Sequence, residues 1–302
     1  MDNSKRVAVV GATGVLGRAF IPLLLEHGYA VRALVRSAIK AREVLPLEIE
    51  ITTGDLLDPY IERQLPDLLA DCAAVLHIAT AIPRNMSAPH AWDANNRLRT
   101  DGTRLLLQAA LQAGAQRYVQ QSIIMAYPDH GDEWITEDMA LDTSPARAEV
   151  NAPVIAMEEL VHTLAADRLH WCILRGGRFV GPGTFEEDTV ADLRQGTRVI
   201  AGTGQNFLSL IHVADMAGAT VAALEHALHR SIFNVVDEPL REGEYLDRLA
   251  DSLGASRPLR DRTRPTPPSW RCSNQAARSN LQWSPTHSII PVRLRQSAEG
   301  GA

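Results

Sequence analysis

The sequence predicts an α/β protein: a doubly wound parallel sheet of about seven strands with a small C-terminal lobe for a substrate. Three observations carry this reading. Short β-rich runs alternate with helical stretches through the first two thirds of the 302-residue chain, the order that builds βαβ units. Several runs, such as Val7-Ala-Val-Val10 and Ala74-Val-Leu76, are apolar throughout, as strands covered on both faces must be. The segment Val7-Ala-Val-Val-Gly11-Ala-Thr-Gly14-Val-Leu-Gly17-Arg18 reads as strand, tight turn and helix. Together these define a Rossmann-type sheet.

Taken in order, strands are expected at Val7–Val10, Ala30–Val35, Glu48–Thr52, Ala73–Ile78, Gln116–Ser122 and His170–Leu174. Helices are expected roughly at Gly14–His27, Pro59–Leu69, Trp92–Ala113 and Pro153–Ala166. Asp58-Pro59 is a good helix start, an Asp cap followed by Pro at the first helical position. Pro153 is expected at or near a helix start for the same reason. From Gly176 the pattern breaks into glycine-marked loops, Gly176-Gly177, Gly181-Pro-Gly183 and Gly202-Thr-Gly204. A helix at Val213–His229 and a strand at Ile232–Val236 return to the first pattern, and Ala255–Trp270, rich in Pro and Arg, reads as a connector. Residues 1–175, rejoined by 211–236, are therefore expected to form the nucleotide-binding domain. Residues 176–210 and 237–302 would form the substrate lobe, with the cleft between them.

Composition narrows the function classes. A net charge of −6 argues against a general nucleic-acid binder. Three widely spaced cysteines, Cys72, Cys172 and Cys272, fit a reducing compartment and exclude a disulfide scaffold or CxxC metal site. No apolar run approaches the length of a membrane span, and the polar start at Met1–Arg6 does not read as a signal peptide, so a cytoplasmic location is expected. Of 30 basic residues only Lys5 and Lys40 are lysines.

Gly11, Gly14 and Gly17 let the backbone approach a pyrophosphate, and the helix start supplies N–H donors. Thr13, Val15 and Leu16 complete that loop. The second strand ends in Val35-Arg36-Ser37 where a ribose-binding acid would stand. Arg36 suits a 2′-phosphate, so NADP is favoured over NAD. Asp55 and Leu56 follow the third strand and Ile78, Ala79 and Thr80 the fourth, on the adenine and ribose sides.

These motifs resemble the short-chain dehydrogenase/reductase superfamily in its extended or atypical branch, which is epimerase-like (NAD-dependent epimerase/dehydratase-like). The resemblance spans nearly the whole chain: the glycine loop, Gly54-Asp-Leu-Leu-Asp58, His77-Ile-Ala79, Gly102-Thr103, Gln120-Gln-Ser122-Ile-Ile-Met-Ala-Tyr127, Leu174-Arg175 through Thr184, Ile211-His-Val-Ala-Asp215, Phe233-Asn-Val-Val-Asp237 and Cys272 to Trp283. The resemblance implies a Tyr-x-x-x-Lys pair with a Ser, in which the Lys lowers the Tyr pKa and the Tyr passes a proton as hydride moves. Here the motif is missing. Four residues beyond Tyr29, Tyr60, Tyr118, Tyr127 and Tyr245 stand Ala33, Gln64, Ser122, Gly131 and Leu249. Counted back from Met157-Glu-Glu-Leu160, the two positions are Val150 and Val154, and the family's fourth-helix Asn is Arg99.

Ser122, at a strand's carboxyl end, and Tyr127, in the following loop, are the candidate catalytic hydroxyls, each weighed against an ordinary packing role. Asp129 and His130 follow Tyr127. Arg84, Arg97, Arg99, Arg175 and Arg178 flank the expected pocket and suit an anionic small-molecule substrate, although this chain uses Arg for nearly every cation. His212 and Asp215 read as structural capping of the following helix. No histidine spacing matches a metal site, so no metal is expected. The resemblance also implies a homodimer through the fourth and fifth helices. Three functional readings follow: an NAD(P)(H)-dependent oxidoreductase or epimerase-like enzyme with a non-standard proton relay, a redox-inactive NADP(H) sensor of the NmrA-like kind, or a non-redox isomerase or cyclase using the same pocket.

Overall fold

Apolar alternation along the first strand sets the layering. In the computed structural model, which describes Lys5–Ile290, β1 (Arg6–Val10) sends Val7 and Val9 to one face and Ala8 and Val10 to the other. Each pair enters a separate core, because successive side chains of a strand point to opposite faces. Besides six short strands in the loops and the small lobe, the chain forms β2 (Ala30–Val35), β3 (Glu50–Thr53), β4 (Ala74–His77), β5 (Arg117–Ile123), β6 (His170–Gly176), β7 (Arg178–Val180), β8 (Leu210–His212) and β9 (Ser231–Val235). Seven of them make one parallel sheet in the order β9-β6-β5-β4-β1-β2-β3. The strand order reverses between β1 and β4, the switch point outside which such sheets bind ligands.

One core holds Phe20, Ile21 and Leu24 of α1 (Val15–Glu26) against Val7 and Val9. The other holds Leu106 and Leu107 of α2 (Thr103–Gln112), with Tyr118 and Trp171, against Ala8 and Val10. The helices α3 (Ala148–Leu160), α4 (Glu186–Gln195), α5 (Val213–His226), α6 (Glu242–Leu253) and α7 (Gln275–Leu281) follow. The small lobe has its own core, in which Val180, Leu193, Leu210, Tyr245 and Leu249 meet. The parallel pair β7–β8 leads from the main sheet into it.

Four expectations change. The helix expected at Pro59–Leu69 is a 3₁₀ turn, Ile61–Arg63, and one helical turn, Leu65–Leu68. Pro66 lacks the N–H that would carry a continuous helix through it. The long helix expected at Trp92–Ala113 is interrupted by a π turn, Leu98–Gly102, between Asp93–Arg97 and α2. Pro153 does not start α3 but lies inside it. The Glu149 carbonyl that loses its helical donor to Pro153 accepts instead from Asn96 Nδ2 at 3.4 Å. Finally, residues 275–283 leave the substrate lobe: Ala277, Leu281 and Trp283 are buried in the main core, with the Trp283 indole donating to the Asp215 carbonyl at 3.1 Å. Among the described residues no helix is long and apolar enough to cross a membrane.

Candidate active site

The glycine turn is shaped by close packing. Gly11 has φ +101°, and a Cβ there would lie 2.6 Å from the Ala79 nitrogen. A Cβ on Gly17 would lie 2.2 Å from the Ala12 carbonyl oxygen. Gly11 lets the turn press against the loop after β4, and Gly17 lets the first turn of α1 pack on the carbonyls of the glycine turn itself. Gly14 caps α1 with no side-chain bond, and Arg18 is the first residue to bond back, to Gly14 at 3.0 Å. The amides of Val15, Leu16 and Gly17 therefore stand at the helix's positive end with no protein acceptor. This helix end fits a dinucleotide's diphosphate.

The other expected cofactor residues gather along the same sheet edge. Thr13 is exposed and Val15 half-buried, while the Leu16 side chain is buried in the core, which leaves its amide as what it can offer a ligand. Arg36 is exposed at the end of β2. Asp55 turns the chain after β3, its Oδ1 accepting from the Leu57 amide at 2.9 Å. The Leu56 and Ile78 side chains are buried; Ala79 is half-buried and Thr80 exposed. All of these lie at the carboxyl ends of β1 to β4, which are neighbours in the sheet.

The two expected catalytic hydroxyls are placed differently. Ser122 is fully buried and donates to Glu158 Oε1 at 2.6 Å. Tyr127 is buried too; its hydroxyl donates to Asn234 Oδ1 at 3.0 Å and accepts from Arg175 Nη1 at 2.5 Å. Burial pushes the Tyr127 phenol well above its ordinary range despite the nearby guanidinium. Arg175 grips Glu158 with Nε–Oε1 at 3.1 Å and Nη2–Oε2 at 2.6 Å. Both candidate hydroxyls are thus bonded within an internal network built on the Glu158–Arg175 pair.

The strand end beside α3 is apolar instead. Ile123 packs with the fully buried Val154 and with Met157, and Val150 is half-buried one turn earlier. Neither Val150 nor Val154 can carry a proton. Arg99, on the π turn, is buried with its Nη1 3.8 Å from the Met157 sulfur, and burial lowers its pKa to about 10. His212 caps α5 as expected, its Nδ1 accepting from the Ala214 amide at 3.2 Å. Asp215 ties down the chain after α7, accepting from the Thr286 and His287 amides at 3.0 and 2.9 Å.

Beyond β5 lies a cleft of about 320 Å³. Ile124 and Met125 line it from the main domain, Arg178 from β7, Glu242 from α6, and Pro268 and Trp270 from the connector. Of the flanking arginines, Arg178 alone lines this cleft; Arg175 is internal, and Arg84 and Arg97 are exposed. Asn206, Glu242 and Trp270 carry no motif, and only the fold brings them together.

Sheet order, an open helix end at the switch point and a cleft beyond β5 define a dinucleotide-binding α/β protein. The model of the NAD dependent epimerase/dehydratase family matches residues 7–235, and the chain belongs to that family. It is 33% identical over 309 residues to the 3-diazoavenalumate denitrifying reductase of a Streptomyces species, covering 93% of this chain and 96% of the relative. It is 30% identical over 217 residues to the ceramide reductase of Caulobacter vibrioides, covering 72% of this chain and 60% of the relative. Its fold matches the UDP-glucose 4-epimerase of Thermotoga maritima with a TM-score of 0.79 at 17% identity, over 94% of each chain.

Proposed function

We propose that the protein is an NADPH-dependent reductase that delivers hydride to a small, electron-poor acceptor without a proton from an enzymic acid, and that the acceptor is a diazo group. One observation carries this: the positions that the sequence count assigns to the family's Tyr and Lys hold Val150 and Val154, while the candidate hydroxyls of Ser122 and Tyr127 are bonded inside the protein. A ketone needs an acid because hydride addition leaves an alkoxide. An aryldiazonium ion needs none, because hydride neutralises a cation. The likeness to a reductase named for a diazo substrate and for denitrification supports the same acceptor.

A dihydronicotinamide, held through the helix end at Val15–Gly17, would supply the hydride; its transfer to the terminal nitrogen of the diazonium would give an aryldiazene, which would lose N2 as its hydrogen passes to the ring carbon. The balance is Ar–N2⁺ + NADPH → Ar–H + N2 + NADP⁺. Ile123, Val150 and Val154 exclude water from the reacting atoms, which protects the diazonium from hydrolysis. The amides of Val15, Leu16 and Gly17 hold the diphosphate, and Arg36 takes the 2′-phosphate. Buried, unpaired cysteines support a reducing compartment, the cytoplasm.

The test is stoichiometric. With benzenediazonium and with a diazotised 3-aminocinnamate, NADPH oxidation and N2 release should rise together in a one-to-one ratio. Tight NADPH binding with no oxidation by either compound would leave the protein a nucleotide sensor and overturn the reading.

A further inference from the structure

We infer that the cleft beyond β5 selects an aromatic acid that carries a ring hydroxyl or N–H, with Arg178 as the carboxylate anchor and Asn206 and Glu242 as the acceptors for the ring donor. This deepens the reductase reading and rests on it for the acceptor chemistry.

The polar groups of the cleft are incompletely paired. Asn206 is 4% exposed and Glu242 8% exposed, both facing this cleft. Asn206 Nδ2 donates to Glu242 Oε2 at 3.0 Å, and that bond fixes the amide's orientation, since the reversed amide would set oxygen against carboxylate. Asn206 Oδ1 then points away from Glu242, and it is buried without a hydrogen-bond partner. A buried orphan acceptor is costly unless a ligand donor meets it. A hydroxyl or N–H supplies that donor, and the Glu242 carboxylate can share it.

Arg178 adds the opposite sign. Among the described residues its guanidinium makes no ion pair and no side-chain hydrogen bond, whereas Arg175, Arg241 and Arg260 are each paired with an acid. Its planar fork matches a carboxylate with two parallel bonds. Ile124, Leu208, Pro268 and the Trp270 indole supply the apolar wall between these polar ends. The Trp270 indole N–H is already used, donating to the Tyr127 carbonyl at 3.0 Å, so its ring is held as a fixed flat surface. At about 320 Å³ the cleft lies at the small end of ligand pockets and suits one ring with a short side chain rather than a nucleotide sugar.

The test reads binding without turnover, so its failure is separate from failure of the hydride reading. The NADP⁺-loaded protein is titrated by tryptophan fluorescence with 4-hydroxycinnamate, its methyl ester, cinnamate and UDP-glucose. The acid should bind about tenfold or more tightly than the ester, and the hydroxylated acid about tenfold more tightly than cinnamate. Arg178→Gln should abolish the preference for acid over ester while keeping the ester's affinity, which also shows that the variant is folded. Asn206→Leu should abolish the preference for the hydroxylated ring. Equal binding of acid and ester by the wild-type protein, an undiminished acid preference in Arg178→Gln, or preferred binding of UDP-glucose would each overturn the assignment.

Discussion

Arg175 and Glu158 form a two-pronged ion pair at 3.1 and 2.6 Å, with about 5% of either side chain exposed. Glu158 lies one helical turn beyond Val154 on α3. The pair also bonds Ser122, Tyr127 and the Glu137 carbonyl. It therefore ties β5, β6 and α3 together and holds both hydroxyls.

Breaking that pair on one side leaves a buried charge without its partner. Glu158→Gln should cost about 3–5 kcal/mol of stability, read by urea denaturation. The double variant Glu158→Leu with Arg175→Met should recover part of the loss, because no buried charge is then left unpaired.

Tyr127→Phe separates structure from catalysis. It leaves Asn234 Oδ1 and one Arg175 donor short of a partner, and should cost about 1–3 kcal/mol in denaturation. The hydride-transfer rate of the folded variant should stay within about twofold. A fall of more than about tenfold would mean that the hydroxyl reaches the substrate after all.

Acid stability should report on His77. Burial lowers its pKa from 6.5 to about 4, the Gln120 bond offsetting this only in part. Between those two values the unfolded histidine binds a proton that the folded one does not. Stability is therefore full above about pH 6.5 and declines as pH falls towards 4, by up to about 1.4 kcal/mol per pH unit. His77→Asn should flatten this limb in denaturation curves collected from neutral to acid pH.

The proposed cofactor choice is tested at Arg36. Arg36→Glu should weaken NADPH by about tenfold or more and leave NADH affinity nearly unchanged, measured by fluorescence titration. Equal effects on both nucleotides would place the 2′-phosphate elsewhere.

Much of the main sheet was legible because its strands are apolar on both faces and leave a local signature. β2 runs over Ala30–Val35, as its apolar run requires. The glycine loop was legible because each glycine meets a steric demand within a few residues or one loop away. What the sequence hid depends on distant partners. The Glu149 carbonyl that Pro153 leaves without a helical donor is met by Asn96, 53 residues earlier. Ser122 looks like a free strand-end donor, but Glu158, 36 residues later, accepts its hydrogen bond. Trp283 carries α7 to the main core through a bond to Asp215 that no periodicity announces. The cleft is the extreme case, since Arg178, Asn206, Glu242 and Trp270 come from four segments that share no motif.

The central claim is that hydride moves here without an enzymic proton relay. It is tested most directly by the pH dependence of the single-turnover rate of NADPH oxidation with an aryldiazonium substrate, from about pH 5.5 to 8. The account predicts a flat profile, unchanged in Tyr127→Phe and in Ser122→Ala. A bell or a single limb that shifts or vanishes in either variant would show a titrating enzymic acid and contradict it.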